Sequence, residues 1–427
     1  MNWKTLQPNE HGDWISQRND SFSSYISIGD KDNKSKEIFF NPVYSRGLAS
    51  ARDAYCYNSS LKTMKNTINE FIEFYEKQRT KYHKTKSNNE EIKLEAFIDF
   101  NTTKVTWNRG LKNDIARNRK IEFRKESVVV GLYRPFFKQH LYFAQELNDM
   151  TYQIPKLFPN SSIENKVICV SGLGGSKENT TIISNFIPDL NCLDSGTQCF
   201  PLYYYQERDK QAKTLFDTDD DSEYIRRDGV SDFILERAKT QYGKNVSKED
   251  IFYYVYGFLH SPEYREMFAN DLKKMLPRLP LVEDVKDFWA FSKAGRKLAE
   301  LHINYETVAP FKGAKVKGVD SGFFTVEKMR FPKKDQKETI HYNSKITISN
   351  IPAKAYEYVV NGKSAIEWIM ERYAVTTHKE SGIKNDPNDW AKEVGNPRYI
   401  LDLLLSVINV SVQTVEIVEG LPKVKFD

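Results

Sequence analysis

An α+β fold is what this sequence predicts: a mixed N-terminal segment, then a larger part in which a central helical hub is flanked by small β-sheets. Three observations carry the expectation. Between Ser247 and Tyr305, apolar residues recur at helical spacing through three successive segments. On both sides of that stretch, short apolar or alternating runs end in Gly, Pro or Asn, the pattern of short strands joined by turns. The chain has 427 residues, 40% of them hydrophobic and 28% charged, enough for two or three globular units with an ample core.

The hub is the most regular part. Ser247, with Asp250 three residues on, marks a helix start, and Ile251, Val255, Phe258 and Leu259 keep the period. Ser261-Pro262-Glu263 restarts the chain with a cap, a proline at the first helical position and an acid behind it. Tyr264, Phe268, Leu272 and Met275 carry the next stripe until Pro277. After the connection Pro277–Pro280, a third helix begins near Asp284 and buries Phe288, Ser292, Gly295, Ala299 and His302 on one ridge.

Ahead of the hub, Ile38-Phe39-Phe40 reads as a short strand and Tyr55–Phe74 as a helix. Lys77–Glu91 lacks apolar periodicity and reads as an exposed, mobile loop. Ala96–Ile98 and Lys104–Trp107 read as strands leading into a basic helix. A boundary near Ser127 divides the chain into 1–127 and 128–427. Beyond it come a strand at Val128–Val130, an arginine before a proline (Arg134) that suits a structural anchor, and a strand at Val167–Val170. Gln198–Arg208 is an alternating aromatic strand whose rings serve either a core or base stacking. The acidic tract Asp217–Ser222 is either a metal ligand set or a solvated turn, and no second ligand cluster completes a metal site.

After the hub, Gly313, Gly318, Gly322 and Pro332 punctuate short strands, and Lys312–Lys334 reads as basic hairpins. Ile340–Ile348 alternates as one strand. Asn361-Gly362 is a turn before a helix Ser364–Tyr373, Thr376–Asp389 is a polar loop, and Arg398–Val410 is a final apolar helix. No run approaches the ~20 apolar residues of a membrane helix, and the first residues are no signal peptide. Four sparse cysteines, with no C-x-x-C among them, fit a reducing, cytoplasmic protein.

The net charge of +5 is small, but it is unevenly spread. From Asn101 to Lys125 eight Lys or Arg face two acids, and Lys and Arg330 also outnumber acids between Ile303 and Lys345. Local basic segments on a near-neutral protein form either a groove for phosphates or a solvated face. Arg109, Lys112, Arg117, Arg119 and Lys120 are the phosphate candidates. Ser176, Lys177, Asn179, Lys315, Lys317, Arg330, His378 and Lys379 lie where the apolar pattern lapses, and are the candidates for reading bases.

Two stretches invite a catalytic reading. Asn41-Pro42-Val43-Tyr44 imitates the loop with which amino-methyltransferases grip a target amine and stack on its base, although Val43 stands where a second proline belongs. Ser171-Gly172-Leu173-Gly174-Gly175-Ser176 follows a strand, as cofactor loops do, but lacks a following Lys-Ser/Thr and an acid at the end of a convincing second strand. Together, Asn41–Tyr44 and Gly172–Gly175 describe an autonomous methyltransferase of permuted order.

The ordered motifs point elsewhere. Tyr254–Leu281 and Asp287–Glu306 closely resemble the C-terminal, DNA-specificity part of the type ISP restriction-modification enzymes and related adenine methyltransferase fusions. So do Asp13–Asp20, Tyr44–Asn58, Tyr133–Phe143, Gln198–Tyr205, Tyr356–Tyr373 and Ser381–Trp390, in the same order. The resemblance implies that 128–427 is a target-recognition domain and that 1–127 is the end of a methyltransferase or connector region. It implies sequence-specific binding of double-stranded DNA without catalysis in this chain. The partners would be methyltransferase and ATP-driven translocase and nuclease domains. S-adenosylmethionine would be used by the parent methyltransferase and not held here. An interaction scaffold without DNA affinity is the remaining class.

Overall fold

The computed structural model describes residues 6–15, 17–31, 36–87, 92–208 and 223–426. Its centre is the hub. Helix Lys248–Phe258 opens on a capping box: the Ser247 hydroxyl accepts from the Asp250 N–H, and the Asp250 carboxylate accepts from the Ser247 N–H. Helix Pro262–Met267 is capped by Ser261, and helix Val285–Ile303 by Asp284. The long helix buries Phe288, Ser292, Gly295, Ala299 and His302 as the spacing predicts, with Phe291 and Leu298 beside them. It crosses Lys248–Phe258 where two glycines meet. A Cβ on Gly295 would stand 1.9 Å from the Tyr253 carbonyl oxygen, and one on Gly257 2.2 Å from that of Phe291. Only bare backbone fits that crossing.

Two hydrophobic clusters make up the interior, and a four-stranded antiparallel sheet lies between them. Its strands run in the order Ser45–Arg46, Gln198–Pro201, Val167–Val170, Thr181–Ser184. Ile168, Val170, Ile183 and Phe200 face the hub. Val167, Cys169, Ile182 and Cys199 face the other cluster. With both faces covered, these strands read as continuous apolar runs rather than alternations. A second sheet orders Tyr57–Asn58, Phe137–Tyr142, Val128–Arg134 and Ile187–Pro188, against which the long helix Leu61–Lys86 packs. The pairing of Tyr57–Asn58 with His140–Leu141 crosses residue 127, and one cluster runs from Leu48 to Val410.

Arg134 is the anchor its setting suggested. Its Nη1 donates to the Asp189 carboxylate at 2.6 Å, its Nη2 lies 3.6 Å from that of Asp53, and its guanidinium lies over the Tyr133 ring. Burial, reinforced by the Asp53 charge, pushes the Asp189 carboxyl up to about 7 against the pull of Arg134.

Several local expectations are corrected. The helix expected from Tyr55 starts at Leu61, because Ser60 caps it, and it continues to Lys86. The expected loop from Lys77 is therefore helical to that point, held by Tyr82 in the core and by the His83 ring against the Ile115 carbonyl at 2.6 Å; residues 88–91 lie outside the described ones, as does the tract 217–222. Leu94–Phe97 is a helical turn, and Lys104–Trp107 pairs with no strand among the described residues and is buried through Val105. Among the described residues, Ile38 and Phe40 make isolated bridges rather than a strand. The last helix spans Tyr399–Glu419 and is long and apolar enough to cross a membrane by length and composition. Two thirds of that window (67%) is buried inside the protein, the mark of a core helix.

Candidate nucleic-acid interface

The basic stretch after the hub folds as a sheet and not as successive hairpins. Lys315–Lys317 pairs with Thr347–Ser349, which pairs in turn with Ile340–His341. Ile340–Ile348 is thus two strands, because the Asn343 side chain accepts from the N–H groups of Lys345 and Ile346 and turns the chain. Residues directly opposite in antiparallel strands share a face. Val316, Ile348 and Ile340 therefore share the inner face, against the core. Lys315, Lys317, Thr347, Ser349 and His341 share the outer one. Arg330 bridges His341 through backbone bonds in both directions, at 3.1 and 2.9 Å, and extends the same face. Lys315, Lys317 and Arg330 are exposed, and no described carboxylate forms an ion pair with them. The transverse row Lys317–Thr347–His341–Arg330 carries no acid.

Thr376–Thr377 and Lys384–Asn385 form a small hairpin instead of a loop. His378 holds its tip: its Nδ1 lies 2.8 Å from the Ser381 hydroxyl, and its carbonyl accepts from the Gly382 N–H. Asn385 accepts from Ser59 N–H and Gln139 Nε2, and Asn58 donates to the Lys384 carbonyl. Across a cleft of about 530 Å³ from this hairpin stand Arg52, Asp53, Tyr55 and Thr106. His378 and the entry to the basic helix thus share one cleft. The Val375 N–H donates to the Glu327 carbonyl at 2.9 Å, so the hairpin also adjoins the chain leading to Arg330. Lys379 is exposed at its tip.

The basic helix spans Arg109–Ala116, with Asn108 as cap and Leu111 and Ile115 inward. Arg109 and Arg117 are exposed and free of ion pairs with described carboxylates. The other phosphate candidates are engaged within the chain: Lys112 near Glu95 at 4.0 Å, Arg119 between Asp114 and Glu146, and Lys120 on Glu122. Salt bridges of this exposed kind contribute ~0–1 kcal/mol and leave their cations available to a polyanion.

Ser176 and Lys177 are exposed on a turn, but that turn serves the fold. Burial pushes the Asp194 carboxyl up; hydrogen bonds from Lys177 N–H, Ser195 N–H and the Ser176 hydroxyl outweigh it, leaving the group below its ordinary value. Asn179 Nδ2 points to the Leu272 carbonyl at 3.5 Å. The Gly172 N–H donates to the Asp194 carbonyl and that of Gly174 to the Lys273 carbonyl. The glycine loop therefore turns its amides to the protein itself. The strand before it lies in an antiparallel sheet, whereas a cofactor loop needs a parallel strand and a following helix. Tyr44 is buried and stacked on Phe200 at 4.7 Å, and Asn41 donates its side chain to the Asp228 carbonyl. These residues do not fit S-adenosylmethionine or an extruded base.

Thr347 and His341, which the register places on this face, are not among the residues singled out from the sequence. The Asn343-Ser344 pair between two alternating runs was the hairpin signal that would have placed them.

The model of the type ISP C-terminal specificity domain matches residues 37–403. The chain belongs to that family. No curated protein matches it. Among solved structures it is similar to the ATP-dependent type ISP restriction-modification enzyme LlaBIII bound to DNA, with 37% identity and a TM-score of 0.85 over 99% of this chain and 26% of that one. A nuclease-deletion mutant of the type ISP enzyme LlaGI, in complex with a DNA substrate mimic, is 35% identical with a TM-score of 0.84, over 100% of this chain and 37% of that one. The DrdV–DNA complex is 27% identical with a TM-score of 0.83, over 100% and 41%. The specificity domain thus spans between about a quarter and two fifths of these relatives' chains.

Proposed function

We propose that this chain is the DNA-specificity portion of a type ISP restriction-modification enzyme. It binds duplex DNA and reads an asymmetric sequence, while adenine methylation with S-adenosylmethionine, ATP-driven translocation and cleavage belong to other parts of that enzyme. The observation that carries the reading is the match of essentially the whole chain to two type ISP enzymes whose structures hold DNA or a DNA mimic. Local chemistry agrees. Exposed Lys and Arg lie on the outer sheet face, at the hairpin tip and on the basic helix, as phosphate contacts require.

A salt titration of binding to mixed-sequence duplex tests it. The logarithm of affinity should fall linearly with the logarithm of salt, with a slope of about −0.9 for each phosphate neutralised. Binding that is absent at low salt, or insensitive to salt, would refute the reading and favour an interaction scaffold.

A further inference from the structure

The row Lys317–Thr347–His341–Arg330 has a width and an order that assign roles. Neighbouring strands lie ~4.8 Å apart, so three intervals carry the row across roughly 14 Å. The major groove is about 12 Å wide and the minor groove about 6 Å. A face of this width is too broad for the minor groove and matches the major one with its two ends over the flanking backbones. The ends are Lys317 and Arg330, both long, exposed cations. The middle holds Thr347 and His341, both half-buried, joined by a 3.3 Å contact between the His341 Nδ1 and the Thr347 Oγ1. With the Thr347 hydroxyl donating to Nδ1, the other ring nitrogen, Nε2, carries the N–H and is the one left to donate to a base. The acceptor that both purines offer to such a donor in the major groove is N7.

We infer that this outer sheet face seats in the major groove, with Lys317 and Arg330 on phosphates and His341, positioned by Thr347, reading a purine N7. The inference rests on the DNA-binding reading above and revises the roles expected for Lys317 and Arg330 from base readers to phosphate clamps. It adds two residues, His341 and Thr347, to the site.

The test uses the full chain. A preferred duplex is first selected from a randomised library, and each of its purines is then replaced singly by the 7-deaza analogue, which lacks only the N7 acceptor. One position should weaken wild-type binding by roughly 5-fold to 150-fold, the range that a base contact of about 1–3 kcal/mol corresponds to. His341→Ala and Thr347→Val should lose the preference at that same base pair and no longer respond to the analogue there. Lys317→Ala and Arg330→Ala should weaken all duplexes alike and reduce the salt slope by about 0.9 each. All four side chains point away from the core, and thermal melts should confirm folding; Thr347→Val preserves side-chain shape if His341→Ala does not fold. Binding that is salt-dependent but unchanged in preference by either inner variant overturns this inference alone. Loss of preference from Lys317→Ala, with the inner variants silent, reverses the roles and also overturns it. Absence of any DNA binding by the folded wild type overturns the underlying reading together with it.

Discussion

Gly295→Ala tests the crossing on which the hub depends. The added methyl would stand 1.9 Å from the Tyr253 carbonyl oxygen and 2.8 Å from the Gly257 nitrogen, and real Cβ atoms essentially never come closer than 3.0 Å. The helices must therefore separate by more than 1 Å at their closest point. The obstacles are backbone on a buried, capped helix, so no side chain can swing aside. Overpacking of this kind costs roughly 1–3 kcal/mol, and backbone on backbone belongs at the upper end. Ala gains about 0.5–1 kcal/mol over Gly in a helix interior. The net expectation is a loss of about 2 kcal/mol. Denaturant unfolding followed by circular dichroism should show the midpoint falling with an unchanged slope. Gly257→Ala should cost a similar amount, and the double variant less than the sum, because one separation relieves both clashes. A neutral or stabilising Gly295→Ala would refute the reasoning, and so would strict additivity.

The remaining predictions concern the core, the histidines, the basic helix and catalysis. Phe288→Ala should lose ~3–5 kcal/mol through a cavity while leaving sequence preference among folded molecules unchanged, as measured by unfolding and by library selection. Burial pushes His260 down to about 4, and burial with the His260 charge pushes His302 down as well, while Asp189 is raised to about 7. At pH 5 unfolding therefore takes up two protons on the histidines and releases one from Asp189. Stability should fall by about 1.4 kcal/mol per unit as pH drops from about 6 to 5, and His260→Asn should remove a slope of that size in pH-dependent unfolding. Arg109→Ala with Arg117→Ala should weaken binding to every duplex and lower the salt slope by about one per lost contact, whereas an unchanged slope would make that helix a solvated face. The chain alone should transfer no labelled methyl group from S-adenosylmethionine to DNA, and incorporation abolished by Asn41→Ala would contradict that.

Much of the hub was legible in the sequence because caps and apolar spacing are local. Ser247, Ser261 and Asp284 announce their helices by themselves, and Asn361-Gly362 announces its turn, with both residues at positive φ. Tertiary pairing was harder to read. Ala96–Ile98 has strand-like composition, but among the described residues no partner strand pairs with it, and Leu94–Phe97 forms one helical turn instead. The polar end of Leu61–Lys86 stays helical through contacts with Ile115 and Asn118 that are far away in sequence. The site shows the same limit. Exposure of Lys177, Lys315, Arg330 and His378 follows from their polar settings, but which of them share a face depends on strand register. That register brings in Thr347 and His341, while Ser176 and the Lys177 N–H hold the turn around Asp194 and Asn179 reaches the Leu272 carbonyl. The glycine loop misleads for a related reason, since its meaning depends on whether the preceding strand is parallel to its neighbours.

Selection of bound duplexes from a fully randomised library tests the central claim most directly. The full chain, folded and at near-physiological salt, should enrich one asymmetric sequence, with single mismatches costing about 1–3 kcal/mol each. Salt-dependent binding that enriches no sequence after repeated rounds would contradict the claim, because the chain would then hold DNA without reading it.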